Sequence, residues 1–120
     1  MSEKATYALL IYCTTDGHAA PEGAERALVG HRAVQAEAEH RGDLRAVAKL
    51  DAVQTARTVR GPVGHHEVTD GPYIDTKEWL VGFYLLDCAS EAEALSRAKQ
   101  LCPGTDHAIE VRPVAWRWER

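Results

Sequence analysis

At 120 residues, with 45% hydrophobic and 27% charged residues and a formal net charge of −4, the chain has the makeup of one folded domain and leaves no room for a second. Basic residues are scattered among acidic ones, which excludes the clustered cationic face that nucleic acid requires, and no segment approaches the ~20 apolar residues needed to span a bilayer. Cys13, Cys88 and Cys102 are odd in number, far apart and without a Cys-x-x-Cys pair, so reduced and mostly buried thiols are expected, not a disulfide framework or a zinc knuckle.

The first element is the continuous apolar run Tyr7 to Cys13, a strand with both faces buried, closed by the turn residues Thr14-Thr15-Asp16-Gly17. That run is too short for the core of a signal peptide, and a cytoplasmic protein is expected. From Pro21 to about Arg41 the period becomes helical: Ala24, Ala27, Leu28, His31, Val34 and Ala38 share a stripe, Pro21 suits the first turn and Gly42 the stop. Leu44 to Val53 alternates weakly and reads as a second strand. Ala56 to Arg60 and His65 to Thr69 form a hairpin around Gly61-Pro62-Val63-Gly64. A tight corner at Asp70-Gly71-Pro72 then leads to Trp79 to Leu86, the strongest strand of the chain. Ser90 with Glu93 makes a capping box for a helix that buries Ala94, Leu95, Ala98 and Leu101 and stops at Cys102-Pro103-Gly104. Ala108 to Val114 is the last strand, with Glu110 and Arg112 on one face, and Trp116 and Trp118 follow on a shared side.

This order fits an α+β ferredoxin-like sandwich, an antiparallel sheet with both helices on one face. A sheet covered on one side should alternate polar and apolar residues, yet Tyr7 to Cys13 and Trp79 to Leu86 do not. The second face therefore needs cover, and the expected cover is another copy of the sheet, giving a homodimer.

Thr69-Asp70-Gly71-Pro72-Tyr73, Lys77-Glu78, the Gly82-Phe83 step and Ile109-Glu110-Val111-Arg112-Pro113 stand in this order along the chain. Together they resemble the DGPF-domain branch of the YCII-related family, with a likeness running from Tyr7 to Val114. The resemblance implies a dimeric α/β barrel and a His–Asp pair whose positions fall on His31 and Asp70. It also implies that some members associate with extracytoplasmic-function sigma factors. Two departures bear on the pocket: the signature's usual phenylalanine is Tyr73, whose hydroxyl adds a donor, and the acid before Thr-Lys-Glu is Asp75, one methylene shorter than the usual glutamate.

His31 lies inside an apolar helical stripe, so its imidazole needs a partner, whether as a hydrogen-bonded core residue or as half of a functional pair. A carboxylate from Asp70 would orient the ring and favour its protonated form, while burial would oppose protonation; capping its own Gly-Pro corner is the other role open to Asp70. Tyr73, Lys77, Glu78, Glu110 and Arg112 are the candidate ligand-binding residues, with Arg112 offering a fork suited to a carboxylate; ion pairing within the sheet is their structural alternative. His65 and His66 are adjacent on a strand and point to opposite faces, so no metal site is expected.

These residues suggest a small cofactor-independent enzyme of the lyase or isomerase type, moving a proton on a small organic molecule in a dimer-enclosed cavity. The alternatives are a ligand-binding or regulatory accessory protein, for example one serving a sigma factor, and a purely structural dimer.

Overall fold

The computed structural model describes residues 3–14, 21–73 and 78–118, the stretch 21–27 by its backbone alone. In chain order the elements are β1 (Ala5–Cys13), α1 (Pro21–Arg41), β2 (Leu44–Lys49), β3 (Arg57–Arg60), β4 (Glu67–Asp70), β5 (Trp79–Cys88), α2 (Glu91–Leu101) and β6 (His107–Pro113). Four strands form one antiparallel sheet in the order β2-β5-β1-β6, and β3 with β4 makes a separate hairpin. This is an α+β arrangement consistent with the ferredoxin-like expectation.

The two apolar runs become the central strands because only there can a strand have a hydrogen-bonded neighbour along both edges. Ser90 caps α2 as its sequence suggests, its Oγ accepting from the Glu93 amide at 3.2 Å, with Glu91 and Glu93 placed where the helix dipole favours acids. The second strand is shorter than expected and ends at Lys49. The Asp51 carboxylate accepts from the Ala52 amide at 2.7 Å and Thr55 Oγ1 donates to the Ala52 carbonyl at 2.6 Å, so local side-chain bonds replace the ladder with a 3-10 turn at Val53–Thr55.

Strand register decides which residues meet the helices. Leu9 is paired with Tyr84 and Ile11 with Gly82, and alternation places Leu9, Ile11, Cys13, Tyr84, Leu86 and Cys88 on one side, packed with Val34, Ala38, Ala94, Ala98 and Leu101. Within the α1 stripe Val34 and Ala38 are buried, His31 is half-buried and Leu28 is 47% exposed, so the helix leaves the core toward its start; Ala24 and Ala27 fall among the residues described by backbone only. The helices are tied by Arg97, whose guanidinium lies 2.7 Å from Glu37, which also meets Arg41 at 2.9 Å. Asp43, after α1, is buried yet receives Lys4 at 2.8 and 2.9 Å, and its carbonyl accepts the Asp87 amide at 2.9 Å. A buried carboxylate matched in this way anchors the α1–β2 turn to β5.

The opposite side of the sheet presents Ala8, Leu10, Ala46, Ala48, Phe83 and Leu85, half-buried with no helix over them among the described residues. The expectation that β1 has two buried faces is thus met on the helix side only. The chain exposes 8538 Å², against roughly 6,400 Å² for an ordinary folded monomer of this mass. No helix among the described residues is long and apolar enough to cross a membrane.

Where α1 crosses α2, a side chain on Gly30 would run into the backbone carbonyl of Gln100. Neither contact partner is a flexible group, so the helices would have to separate. Gly30→Ala is expected to lower stability by about 1–3 kcal/mol in urea denaturation despite alanine's better helix propensity; a gain in stability would show that the crossing tolerates the methyl.

Candidate functional site

Tyr84 belongs to the innermost core, 1% exposed, and its phenol hydroxyl needs a partner there. It finds one in His31, whose Nδ1 lies 2.8 Å from Tyr84 Oη, with the two rings stacked at 5.6 Å between centroids and 20° between planes. Burial pushes the His31 imidazole below its ordinary pKa, and the neighbouring His107 and Lys49 push it the same way. Burial likewise raises the Tyr84 phenol. At neutral pH the pair is therefore an uncharged imidazole against an intact hydroxyl. Because the hydroxyl hydrogen can rotate, Tyr84 is able to donate to Nδ1 or to accept from it, and so can fit either tautomer of the ring.

Other ionisable groups meet at the same end of the sheet. Register pairs Cys13 with His107 and with Trp79, so all three strands contribute there. The His107 Nδ1 stands 3.0 Å from the Asp106 carboxylate, and one donor atom from each of Cys13, Asp106 and His107 falls within 4.8 Å of the others. Lys49 ends β2 opposite Gly82. The indole Nε1 of Trp79 is buried with no hydrogen-bond partner among the described residues.

Asp70 is elsewhere. It closes the exposed β3–β4 hairpin, where its carboxylate, 90% exposed, lies 3.7 Å from Arg57 on the residue directly across the ladder. Gly71 follows with φ +99°, a conformation that side chains disfavour and that turns the chain out of the hairpin, and its amide donates to the Ala56 carbonyl at 2.8 Å. Within one chain the structure brings His31 to Tyr84, not to Asp70.

Of the candidate ligand-binding residues, Tyr73 and Glu78 line a groove of about 740 Å³ between this hairpin and the sheet, together with Tyr12, Arg57, Trp79 and Leu80 among others. Tyr73 is exposed and receives the Arg60 guanidinium 5.2 Å above its ring. Glu110 and Arg112 are exposed on the face of β6 turned away from the helices. Tyr12 donates its hydroxyl to Glu110 at 3.3 Å; burial and Glu110 both raise this phenol, and Arg112 opposes them. Lys77 lies outside the described residues. His65 and His66 are exposed on the hairpin and join no metal-sized cluster among the described residues.

The sequence-based site is thus split by the sheet: His31 on the helix side, and Glu110 and Arg112, joined there by Tyr12, on the opposite side. Tyr84, Lys49 and the Cys13–Asp106–His107 group escaped the sequence reading. Tyr84 carried one usable signal, a polar group inside a strand otherwise apolar on that face. The other residues are brought together only by strand pairing.

A family model for the YCII-related domain matches residues 5–119. The chain is also 45% identical, over 94 residues that make up 76% of it and 75% of the relative, to a protein of Rhizobium meliloti (strain 1021) described as uncharacterized protein R00369. The family match runs from β1 through β6, and the chain belongs to the YCII-related domain family.

Proposed function

We propose that this protein is a small acid–base enzyme, needing no cofactor for proton transfer, in which His31 moves a proton on a small organic substrate bound at the helix side of the sheet. The observation that supports it is the His31 Nδ1 to Tyr84 Oη contact of 2.8 Å on a half-buried ring whose pKa is depressed. A neutral imidazole at pH 7 is the form that accepts a proton, and a hydroxyl partner able to donate or accept fixes the ring without locking it into one protonation state. Lys49 supplies positive charge near the ring, suited to a carboxylate or a developing enolate. Reactions of the lyase or isomerase type, which begin by removing a proton next to a carbonyl, match this equipment.

In this reading Asp70 takes no part in the acid–base pair, since it faces Arg57 and solvent. The homodimer is part of the proposal. The uncovered apolar face around Leu10, Phe83 and Leu85, the exposed Val59 and Val68 on the hairpin, and a surface about 2,000 Å² larger than an ordinary monomer's all favour a second sheet packed against the first, as in a dimeric α/β barrel. The Asp70-Gly71-Pro72 corner favours the DGPF branch of the family, and the absence of a membrane-spanning helix among the described residues is consistent with a cytoplasmic setting.

A second reading, a ligand-binding or regulatory accessory protein, for example one associated with an extracytoplasmic-function sigma factor, draws on a different observation. The groove beneath the hairpin gathers Tyr73 and Glu78 away from His31, on the side of the sheet that carries Glu110 and Arg112.

Two experiments test the proposal. Small 2-oxo and 3-oxo acids incubated with the protein in D2O, followed by proton NMR, are expected to lose the hydrogen next to their carbonyl. His31→Ala should slow that exchange by about a hundred- to ten-thousand-fold. The rate should fall as the pH drops through the ring's pKa, with a midpoint below about 6.5, because protonation removes the base. Binding without exchange would favour the accessory reading. Light scattering should give about twice the chain mass for the wild type and a smaller mass for Phe83→Lys; a monomeric wild type would remove the barrel.

A further inference from the structure

We propose that Cys13, Asp106 and His107 form a binding site for a divalent transition-metal ion of borderline softness, zinc being the natural occupant. The site shares no ligand with the acid–base pair, since it includes neither His31 nor Tyr84.

Its basis is geometric. Cys13 ends β1 and His107 begins β6, and the two are direct partners across the ladder on the helix side. The Thr14 amide donates to the Asp106 carbonyl at 3.0 Å and the His107 amide to the Gly104 carbonyl at 3.2 Å, so the backbone around all three residues is fixed. One donor atom from each residue lies within 4.8 Å of the others. A tetrahedral ion with bonds of about 2.0–2.3 Å needs its donor atoms about 3.3–3.8 Å apart, which from 4.8 Å is a closure of about 1.0–1.5 Å, within the reach of side-chain rotation.

The chemistry of the three donors narrows the occupant. Sulfur, imidazole nitrogen and carboxylate oxygen together suit zinc, or cobalt as its spectroscopic stand-in, and poorly suit magnesium or calcium, which take oxygen. Cys13 is buried and His107 nearly so, whereas Asp106 is exposed and marks the side from which an ion enters. As the metal bonds form, any proton on His107 Nδ1 and the proton of the Cys13 thiol both pass to water, and the 3.0 Å contact between His107 Nδ1 and Asp106 opens to admit the ion. Three protein donors leave a fourth position for water or for a ligand.

The test is a titration of the purified, metal-stripped chain with cobalt(II), read by absorption. One equivalent is expected to bind with the intense visible bands of a tetrahedral site and a thiolate-to-cobalt charge-transfer band, and zinc(II) should displace it. Cys13→Ser should abolish the charge-transfer band, and His107→Ala and Asp106→Asn should each weaken binding at least about tenfold. Asp106→Asn alters an exposed side chain, so it keeps the test valid should a variant of buried Cys13 fail to fold. Cys102→Ser should change nothing, since that sulfur is exposed and lies beside the Gly104 and His107 carbonyls. Absence of cobalt uptake, a thiolate band that persists in Cys13→Ser, or binding lost in Cys102→Ser alone would overturn the assignment.

Discussion

A phenol hydroxyl enclosed in an apolar core must be hydrogen-bonded or it destabilises the fold, and Tyr84 meets that requirement through His31. Much of the architecture follows from this contact. The β1–β5 register turns Tyr84 inward beside Leu9, and α1 must cross the sheet so that one of its residues offers a nitrogen at that point. Gly30, one residue earlier, lets α1 close on the backbone of α2 and so sets how near His31 comes to the sheet. The same contact that completes the core leaves a half-buried imidazole at its edge. Structure and candidate chemistry therefore depend on one hydrogen bond.

The sheet separates two functional environments. On the helix side lie His31, Tyr84, His107, Cys13 and, at the strand end, Lys49; on the other lie Tyr12, Glu110 and Arg112, with the hairpin groove beside them. A single ligand of modest size does not touch both. If the open face closes on a second copy, the groove becomes part of an interface while the His31–Tyr84 pair stays within each chain. This division accounts for a chain whose charged residues do not converge on one cleft.

Much of the fold was legible in the sequence. Tyr7 to Cys13 and Trp79 to Leu86 announced the central strands by their unbroken apolar character, and Ser90 with Glu93 announced the start of α2, because these signals are local. The end of β2 was not legible, since it depends on Asp51 and Thr55 choosing the backbone over the ladder. His31 stood out as a polar residue in an apolar stripe, but its partner did not, because that partner is chosen by the register of a strand more than fifty positions away. Asp70 was singled out through its corner, and within one chain that corner belongs to a projecting hairpin. The pairing of Cys13 with His107 was equally out of reach, as nothing in the spacing of the two residues reveals a ladder.

The most direct measurement of the central claim is a nitrogen-15 NMR titration of the His31 ring in the wild type, in Tyr84→Phe and in Asp70→Asn. The account predicts a midpoint below about 6.5, a neutral ring at pH 7, and a Nδ1 resonance that moves when the Tyr84 hydroxyl is removed and stays when Asp70 is changed. A midpoint at or above that value, with a Nδ1 resonance that ignores Tyr84→Phe and responds to Asp70→Asn, would contradict it.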